Sequence, residues 1–167
     1  MSSPLAVFIA SVVGAFMAME ILAYVLHRFV FHGVLWHIHR THHDPEHGHG
    51  KHLFEWNDLF SVGFAAASMA LMWAGRDEPL GVSFGLGLGV AIYGVLYFIL
   101  HDLYTHGRFR RIRGRNPVAM AIKRAHGRHH QSLGKRGQEP YGLFLFPRRF
   151  GRRQTRRSEP AGSQASR

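Results

Sequence analysis

The chain has 167 residues, the length of one domain, and contains no cysteine, which excludes disulfides, thiolate metal sites and cysteine nucleophiles. Residues 1–100 carry four Lys or Arg and seven Asp or Glu, a net charge of −3, whereas residues 101–167 carry seventeen and three, a net charge of +14. A basic half of this kind indicates nucleic acid, anionic lipid or an acidic protein as a partner, and the apolar segments favour a membrane.

Three apolar segments are candidates for membrane spans. Residues 4–26 contain one carboxylate, Glu20, while residues 59–75 and 80–100 contain no charged residue. A helix needs ~20 apolar residues to cross the hydrocarbon core. The first and third segments therefore qualify, and the second, with 17 residues, is borderline. No basic residue precedes the first segment, so we expect it to remain as an anchor rather than to be cleaved as a signal peptide.

The link between the second and third segments fixes their relative direction. The link consists of only four residues, 76–79, so the two spans should form a tight hairpin. Whatever precedes the second span then lies on the same membrane face as whatever follows the third. The seventeen basic residues after the third span place that face in the cytoplasm. We therefore predict an all-α, polytopic inner-membrane protein with about three transmembrane helices and a cytoplasmic, histidine-rich helical cap.

Local signals predict the ends of the helices. The first span should continue as a helix to about Gly33, and a short helix should follow over residues 35–43. Asn57 or Asp58 should cap the second span. Asn116 should cap a helix over residues 117–130, since Pro117 suits the first helical position.

Other segments are predicted from composition. Glycines at every fourth position of the third span suit close helix packing: Gly81, Gly85 and Gly89. The basic run 108–115 should lie at the level of the lipid headgroups. We expect a membrane-embedded domain over residues 1–147 and a basic, disordered tail over residues 148–167.

Ten of the fourteen histidines form two copies of one pattern. Each copy is a pair of histidines five positions apart, followed by a box of the form His-x2-His-His. The box puts three imidazoles on one helical face. The pair would point about 140° apart on an ideal helix, so its members serve different ions or the helix distorts. Imidazole side chains at this density predict a dinuclear metal site. We expect no catalytic residue other than the metal ligands. The ten predicted ligands are His27, His32, His39, His42, His43, His101, His106, His126, His129 and His130.

Two carboxylates accompany the pattern. Glu20 lies seven residues before His27, and Asp102 adjoins His101. We expect Glu20 to orient a ligating imidazole or to pack helices rather than to bind a metal ion, and Asp102 to orient an imidazole or to lie in solvent. The remaining histidines are interpreted as solvated: His37, His47, His49 and His52.

The donor set indicates which ions the site holds. An all-nitrogen site without cysteine suits iron, zinc or copper. Iron can activate dioxygen for attack on an unactivated C–H bond, which zinc cannot do. A centre placed where it meets lipid-soluble molecules therefore favours an oxygenase that acts on hydrocarbon.

These motifs resemble those of the membrane fatty acid hydroxylase superfamily and, within it, of the bacterial β-carotene 3-hydroxylases. The resemblance covers about residues 15 to 146 and rests on both histidine patterns together with segments 19–33 and 54–60. The chain departs from the carotenoid branch at Leu103, where that branch often has glycine, and in the extra histidines after His43.

The resemblance implies a di-iron, dioxygen-dependent monooxygenase that hydroxylates C3 of β-ionone rings, converting β-carotene to β-cryptoxanthin and zeaxanthin. Reduced ferredoxin and its reductase would supply electrons. The basic half would meet this acidic donor and anionic lipid, and we expect no nucleic acid to bind. One alternative is a related carotenoid ketolase, lipid hydroxylase or desaturase. Another is a metal transporter or metal-buffering membrane protein, which the histidine-rich loop 46–52 favours.

Overall fold

The computed structural model describes residues 3–44, 54–109 and 114–151. Within these ranges every regular element is helical, so the all-α prediction is confirmed there. The elements are α1 (Pro4–Val25, prolonged by a π-helical segment, Leu26–Val34), α2 (Trp36–His43), α3 (Asp58–Ala74), α4 (Val82–Tyr97, prolonged by a π-helical segment, Phe98–Thr105), α5 (Pro117–His129) and α6 (Arg148–Gly151).

Two of the three predicted spans are long and apolar enough to cross a membrane. With their π-helical extensions, α1 has 31 residues and α4 has 24. The third, α3, is apolar but has only 17 residues. One face of α1 carries large apolar side chains at every fourth position that are between 44% and 60% exposed, a surface suited to lipid: Leu5, Ile9, Val13, Met17 and Ile21.

The middle helix, α4, packs on α1 and on α3 through glycines. A Cβ at Gly85 or Gly89 would overlap α1, and a Cβ at Gly87 would overlap α3. The predicted packing role is thus confirmed for Gly85 and Gly89, whereas Gly81 lies at the N-cap of α4. The Ser68 hydroxyl of α3 donates a 2.8 Å hydrogen bond to the Gly87 carbonyl. These contacts hold the three helices as one layered unit below the histidines.

The helix caps agree with the sequence fully at α5 and in position only at α3. Asn116 Oδ1 accepts hydrogen bonds of 2.9 and 3.1 Å from two first-turn amides of α5, as predicted. Asn57 occupies the N-cap position of α3, as one of the two predicted residues, but its side chain makes no capping hydrogen bond. Asn57 Oδ1 lies 3.0 Å from Nδ1 of His39, and the Asp58 carboxylate pairs with the Arg108 guanidinium. Both side chains are engaged by partners from elsewhere in the chain.

Arg108 begins the basic run that we expect at the level of the headgroups. The residue is 5% exposed and its guanidinium is paired with Asp58, so this cation of the run is engaged within the protein. Residues 110–113 of the same basic run, the histidines at 47, 49 and 52, and residues 152–167 of the predicted tail lie outside the described residues.

Candidate metal centre

The ten histidines of the two patterns gather in two clusters of five. Within each cluster the candidate ligand nitrogens lie within 4.8 Å of one another. The clusters adjoin, since the rings of His43 and His130 stack with centroids 4.3 Å apart. Cluster one consists of His27, His32, His39, His43 and His129, and cluster two consists of His42, His101, His106, His126 and His130.

The histidine pairs at the start of each pattern lie on π-helical turns. In a π-helix each amide donates to the carbonyl five residues back. Such a bond of 3.0 Å joins the His106 amide to the His101 carbonyl, and another of 2.9 Å joins Leu35 to Val30 at the end of the extension of α1. The separation of about 140° that an α-helix imposes is therefore absent. Of the two possibilities that the sequence left open, the distorted helix is the one observed, because each pair belongs to a single cluster.

The two boxes divide their histidines between the clusters. Residues i and i+4 of an α-helix lie close to one side, while residue i+3 is about 100° away from residue i+4. In α2, His42 alone joins cluster two, and in α5, His129 alone joins cluster one. The prediction of a single face for all three imidazoles was too coarse. Each cluster combines four histidines of one half of the chain with one from the other half.

In cluster one every Nδ1 faces a neutral oxygen acceptor. The pairs are His27 with the Tyr141 carbonyl, His32 with the Lys135 carbonyl, His43 with the Ser132 carbonyl, His129 with the Gln138 carbonyl and His39 with Asn57 Oδ1, at 2.5 to 3.1 Å. A carbonyl oxygen can only accept a hydrogen bond, so Nδ1 carries the proton and Nε2 keeps its lone pair. Segment 132–141, which follows α5, supplies four of these acceptors and thereby sets the orientation of the rings.

The Nε2 atoms of cluster one converge. Those of His27 and His39 are 3.0 Å apart, and those of His32 and His129 are 3.1 Å apart. The buried Nε2 of His43 has no hydrogen-bond partner among the described residues. Facing lone pairs repel unless a cation lies between them, and burial opposes protonation by lowering the pKa of His39 to about 3 and that of His129 to about 4. The donor set therefore fits a metal ion.

Cluster two repeats this convergence. His42 Nε2 lies 3.3 Å from His101 Nε2, and His126 Nε2 lies 3.0 Å from His106 Nε2 and 2.8 Å from His130 Nε2. Burial lowers the pKa of His42 and of His126 well below the usual value for histidine. The imidazoles of His42 and His126 are thus neutral near pH 7, which is the form that binds metal.

Carboxylates lie behind two imidazoles of cluster two. Asp102 Oδ2 is 3.6 Å from Nδ1 of His101, beside the histidine where the sequence suggested it. Glu55 Oε2 is 3.6 Å from Nδ1 of His42, a contact that sequence reasoning missed. Segment 54–60 contributed to the family resemblance, but its role was not evident, because Glu55 approaches α2 only through the fold.

Glu20 holds the chain segment that positions cluster one. It is 2% exposed. Its Oε1 accepts hydrogen bonds of 2.9 Å from the amides of Phe144 and Leu145, and its Oε2 accepts one of 2.8 Å from the Tyr93 hydroxyl. These partners belong to α4 and to the backbone that follows segment 132–141. Through these hydrogen bonds Glu20 links α1 to the chain segment that contains Tyr141, whose carbonyl accepts a hydrogen bond from His27.

An apolar cavity of about 510 Å³ lies between α1, α3 and α4 and reaches both clusters. Aliphatic and aromatic side chains such as Phe64, Met72 and Val90 form most of its wall. The histidines that reach it are His27 and His39 of cluster one and His101 and His126 of cluster two. A lipid-soluble molecule in this cavity would have one end beside the metal centre. The predicted solvated residue His37 is exposed and belongs to neither cluster.

Comparison with known proteins agrees with this geometry. A family model described as "Fatty acid hydroxylase" matches residues 12–148. The beta-carotene hydroxylase of Pantoea ananas is 37% identical over 131 residues, which are 77% of this chain and 71% of that protein. The beta-carotene hydroxylase of Pseudescherichia vulneris is 37% identical over 137 residues, 79% of this chain and 72% of that protein.

Plant relatives are longer. The chloroplastic beta-carotene hydroxylase 2 of Capsicum annuum is 37% identical over 140 residues, which are 81% of this chain but 44% of that protein. The chain thus spans less than half of the length of these chloroplastic relatives. No solved structure matches the chain.

Proposed function

The chain belongs to the fatty acid hydroxylase family, and we propose that it is a di-iron, dioxygen-dependent monooxygenase that hydroxylates C3 of the β-ionone rings of carotenoids. Its substrates would be β-carotene and then β-cryptoxanthin, and its final product zeaxanthin. The observation that carries the proposal is the pair of five-histidine clusters at one end of an apolar cavity. Similarity to beta-carotene hydroxylases over most of the chain supports the substrate class.

All ten clustered histidines would bind iron through Nε2. Imidazole suits iron, and in cluster one the Nδ1 partners described above fix the tautomer that such binding needs. Two iron ions held there would supply dioxygen activation, in which one oxygen atom enters a C–H bond and the other leaves as water with the help of two electrons and two protons. Glu20 and segment 132–141 would keep the rings of cluster one aligned, and Asp102 would orient His101.

The cavity would position the substrate. Its apolar walls exclude water and favour a hydrocarbon, and it lies between the helices that we place in the bilayer. A C40 carotenoid is about as long as the ~30 Å hydrocarbon core. A carotenoid that spans the bilayer could therefore bring one ring to the histidines and, after reorientation, the other.

The surroundings would supply electrons and attachment. We place the histidines at the cytoplasmic face of the inner membrane, with α1, α3 and α4 as spans. The exposed basic residues Lys135 and Arg136 belong to the segment whose carbonyls contact cluster one, and an acidic protein could dock there. Reduced ferredoxin, with its reductase, would be that donor, and the basic half would also attract anionic lipid.

The test is expression in a bacterium that accumulates β-carotene, followed by chromatography and mass spectrometry of the pigments. We expect β-cryptoxanthin and zeaxanthin from the parent chain. His42→Ala and His129→Ala should abolish both products and reduce bound iron. His37→Ala, on the same helix as His42 but exposed, is the matched control and should keep both. Keto products would indicate a ketolase instead, and bound metal without any carotenoid product would favour metal transport or buffering.

A further inference from the structure

The two clusters differ in what lies behind their imidazoles. In cluster one the five Nδ1 atoms face four backbone carbonyls and one side-chain amide, all of them neutral. In cluster two the Nδ1 atoms of His42 and His101 each have a carboxylate oxygen at 3.6 Å, from Glu55 and Asp102. This difference is one of charge and not of ligand type, because both clusters consist of five histidines.

The two carboxylates belong to a buried ionic network. Arg108 donates hydrogen bonds of 2.6 and 2.5 Å to the two carboxylate oxygens of Asp58, and its guanidinium lies 3.7 Å from Asp102. The Asp58 carboxylate also accepts a 2.9 Å hydrogen bond from the Glu55 amide. Side-chain exposure is 6% for Arg108, 10% for Glu55 and 16% for Asp102. Asp58 and Asp102 both face the Arg108 guanidinium, and Glu55 joins them through its amide.

Cluster one borders a segment whose exposed charged side chains are basic. Its neutral acceptors come largely from segment 132–141, where Lys135 and Arg136 are exposed. The one carboxylate of that segment, Glu139, is neutralised by Arg28 at 2.8 Å. Carboxylates therefore lie behind two imidazoles of cluster two, whereas the acceptors behind the imidazoles of cluster one are neutral.

We propose that Glu55 and Asp102 are positioning residues that make the two metal positions unequal, so that the ion in cluster two is held more tightly and by more electron-rich imidazoles. The inference rests on the proposed function, because it presumes one metal ion in each cluster. A carboxylate at 3.6 Å is too far for a hydrogen bond, but its full charge still polarises the imidazole and stabilises a nearby cation, since charge–charge energy falls only as the inverse of distance. A neutral carbonyl polarises the imidazole and stabilises the cation much less.

The experiment uses the full chain in detergent, loaded without oxygen with 57Fe(II) and examined by Mössbauer spectroscopy. The parent protein should hold two iron ions per chain and give two distinct quadrupole doublets of equal area. Glu55→Gln and Asp102→Asn, which are nearly isosteric, should both change the same doublet and leave the other in place. Asn57→Leu, which removes the acceptor of His39, should change the other doublet. Asp77→Asn, which changes an exposed carboxylate in the link between α3 and α4, is the control that should change neither.

A second readout is iron affinity. Glu55→Gln and Asp102→Asn should each weaken the binding of the ion in cluster two by about 10- to 100-fold, as is usual when a group behind a ligating histidine is removed. A parent protein with two irons and a single doublet would overturn the inference, as would variants that change both doublets or neither. Fewer than two irons in the parent chain would instead count against the proposed function.

Discussion

Replacing Glu20 with leucine should detach segment 132–141 from α1 and thereby disturb cluster one. The substitution leaves three donors without their acceptor: the amides of Phe144 and Leu145 and the hydroxyl of Tyr93. A stranded buried donor costs about 1–3 kcal/mol, so the unfolding free energy should fall by about 3 kcal/mol or more. For a chain of this size that corresponds to a melting temperature roughly 6–12 °C lower.

Two further variants calibrate this prediction. Glu20→Gln keeps one carbonyl oxygen for the two amides, and its NH2 group can donate to the Tyr93 hydroxyl. The free energy of unfolding should therefore fall by only about 1 kcal/mol. Glu139→Gln changes a carboxylate of the same segment whose side chain is 39% exposed and pairs with Arg28. An exposed ion pair contributes at most about 1 kcal/mol, and this variant should melt close to the parent.

The assay is thermal melting of the full chain in detergent, followed by circular dichroism, with iron counted per chain. Glu20→Leu should also bind about half the iron of the parent, because the carbonyls of Tyr141 and Gln138 that orient His27 and His129 lose their support. If Glu20→Leu melts at the same temperature as Glu139→Gln and still binds two iron ions per chain, the anchoring role assigned to Glu20 is refuted.

Three further outcomes are expected. Gly89→Ala should lower the melting temperature, since its Cβ would overlap the backbone of α1, whereas Gly94→Ala has open space and should not; equal melting would contradict the α1–α4 packing. The metal-free protein should lose stability as pH falls from 6.5 towards about 4, by about 1.4 kcal/mol per unit for each buried histidine with a lowered pKa, because only the unfolded chain takes up protons there; a melting temperature independent of pH would refute this. Among single cysteines at positions 61, 76 and 158, only the one at 76 should react with an impermeant thiol reagent outside intact cells, and labelling at 158 would overturn the predicted topology.

Much of the architecture followed from spacing. The length of the apolar segments predicted α1, α3 and α4 within a few residues, and Asn116-Pro117 predicted the start of α5. The histidine patterns identified every residue of the two clusters. Such features are local, because they depend on hydrogen bonds and side-chain faces within one helix.

The division between the clusters could not be predicted with equal certainty. A five-residue spacing has no fixed meaning until the winding of the helix is known, and the π-helical turns at His27–His32 and His101–His106 decide it. The assignment of His42 to cluster two and of His129 to cluster one depends on where α2 and α5 lie relative to each other. Glu55, Arg108 and the cavity were missed for the same reason, since each arises from contacts between segments distant in sequence.

The acceptors of cluster one have a consequence for how freely the chain can evolve. Ser132, Lys135 and Gln138 act through backbone oxygens, so their side chains can be exchanged without removing an acceptor. The surface above this cluster can therefore diverge to match a new protein partner while the coordination beneath it is inherited unchanged. The constraint falls on Gly137, whose φ of +57° suits glycine and whose missing Cβ would come within 2.8 Å of the His32 ring.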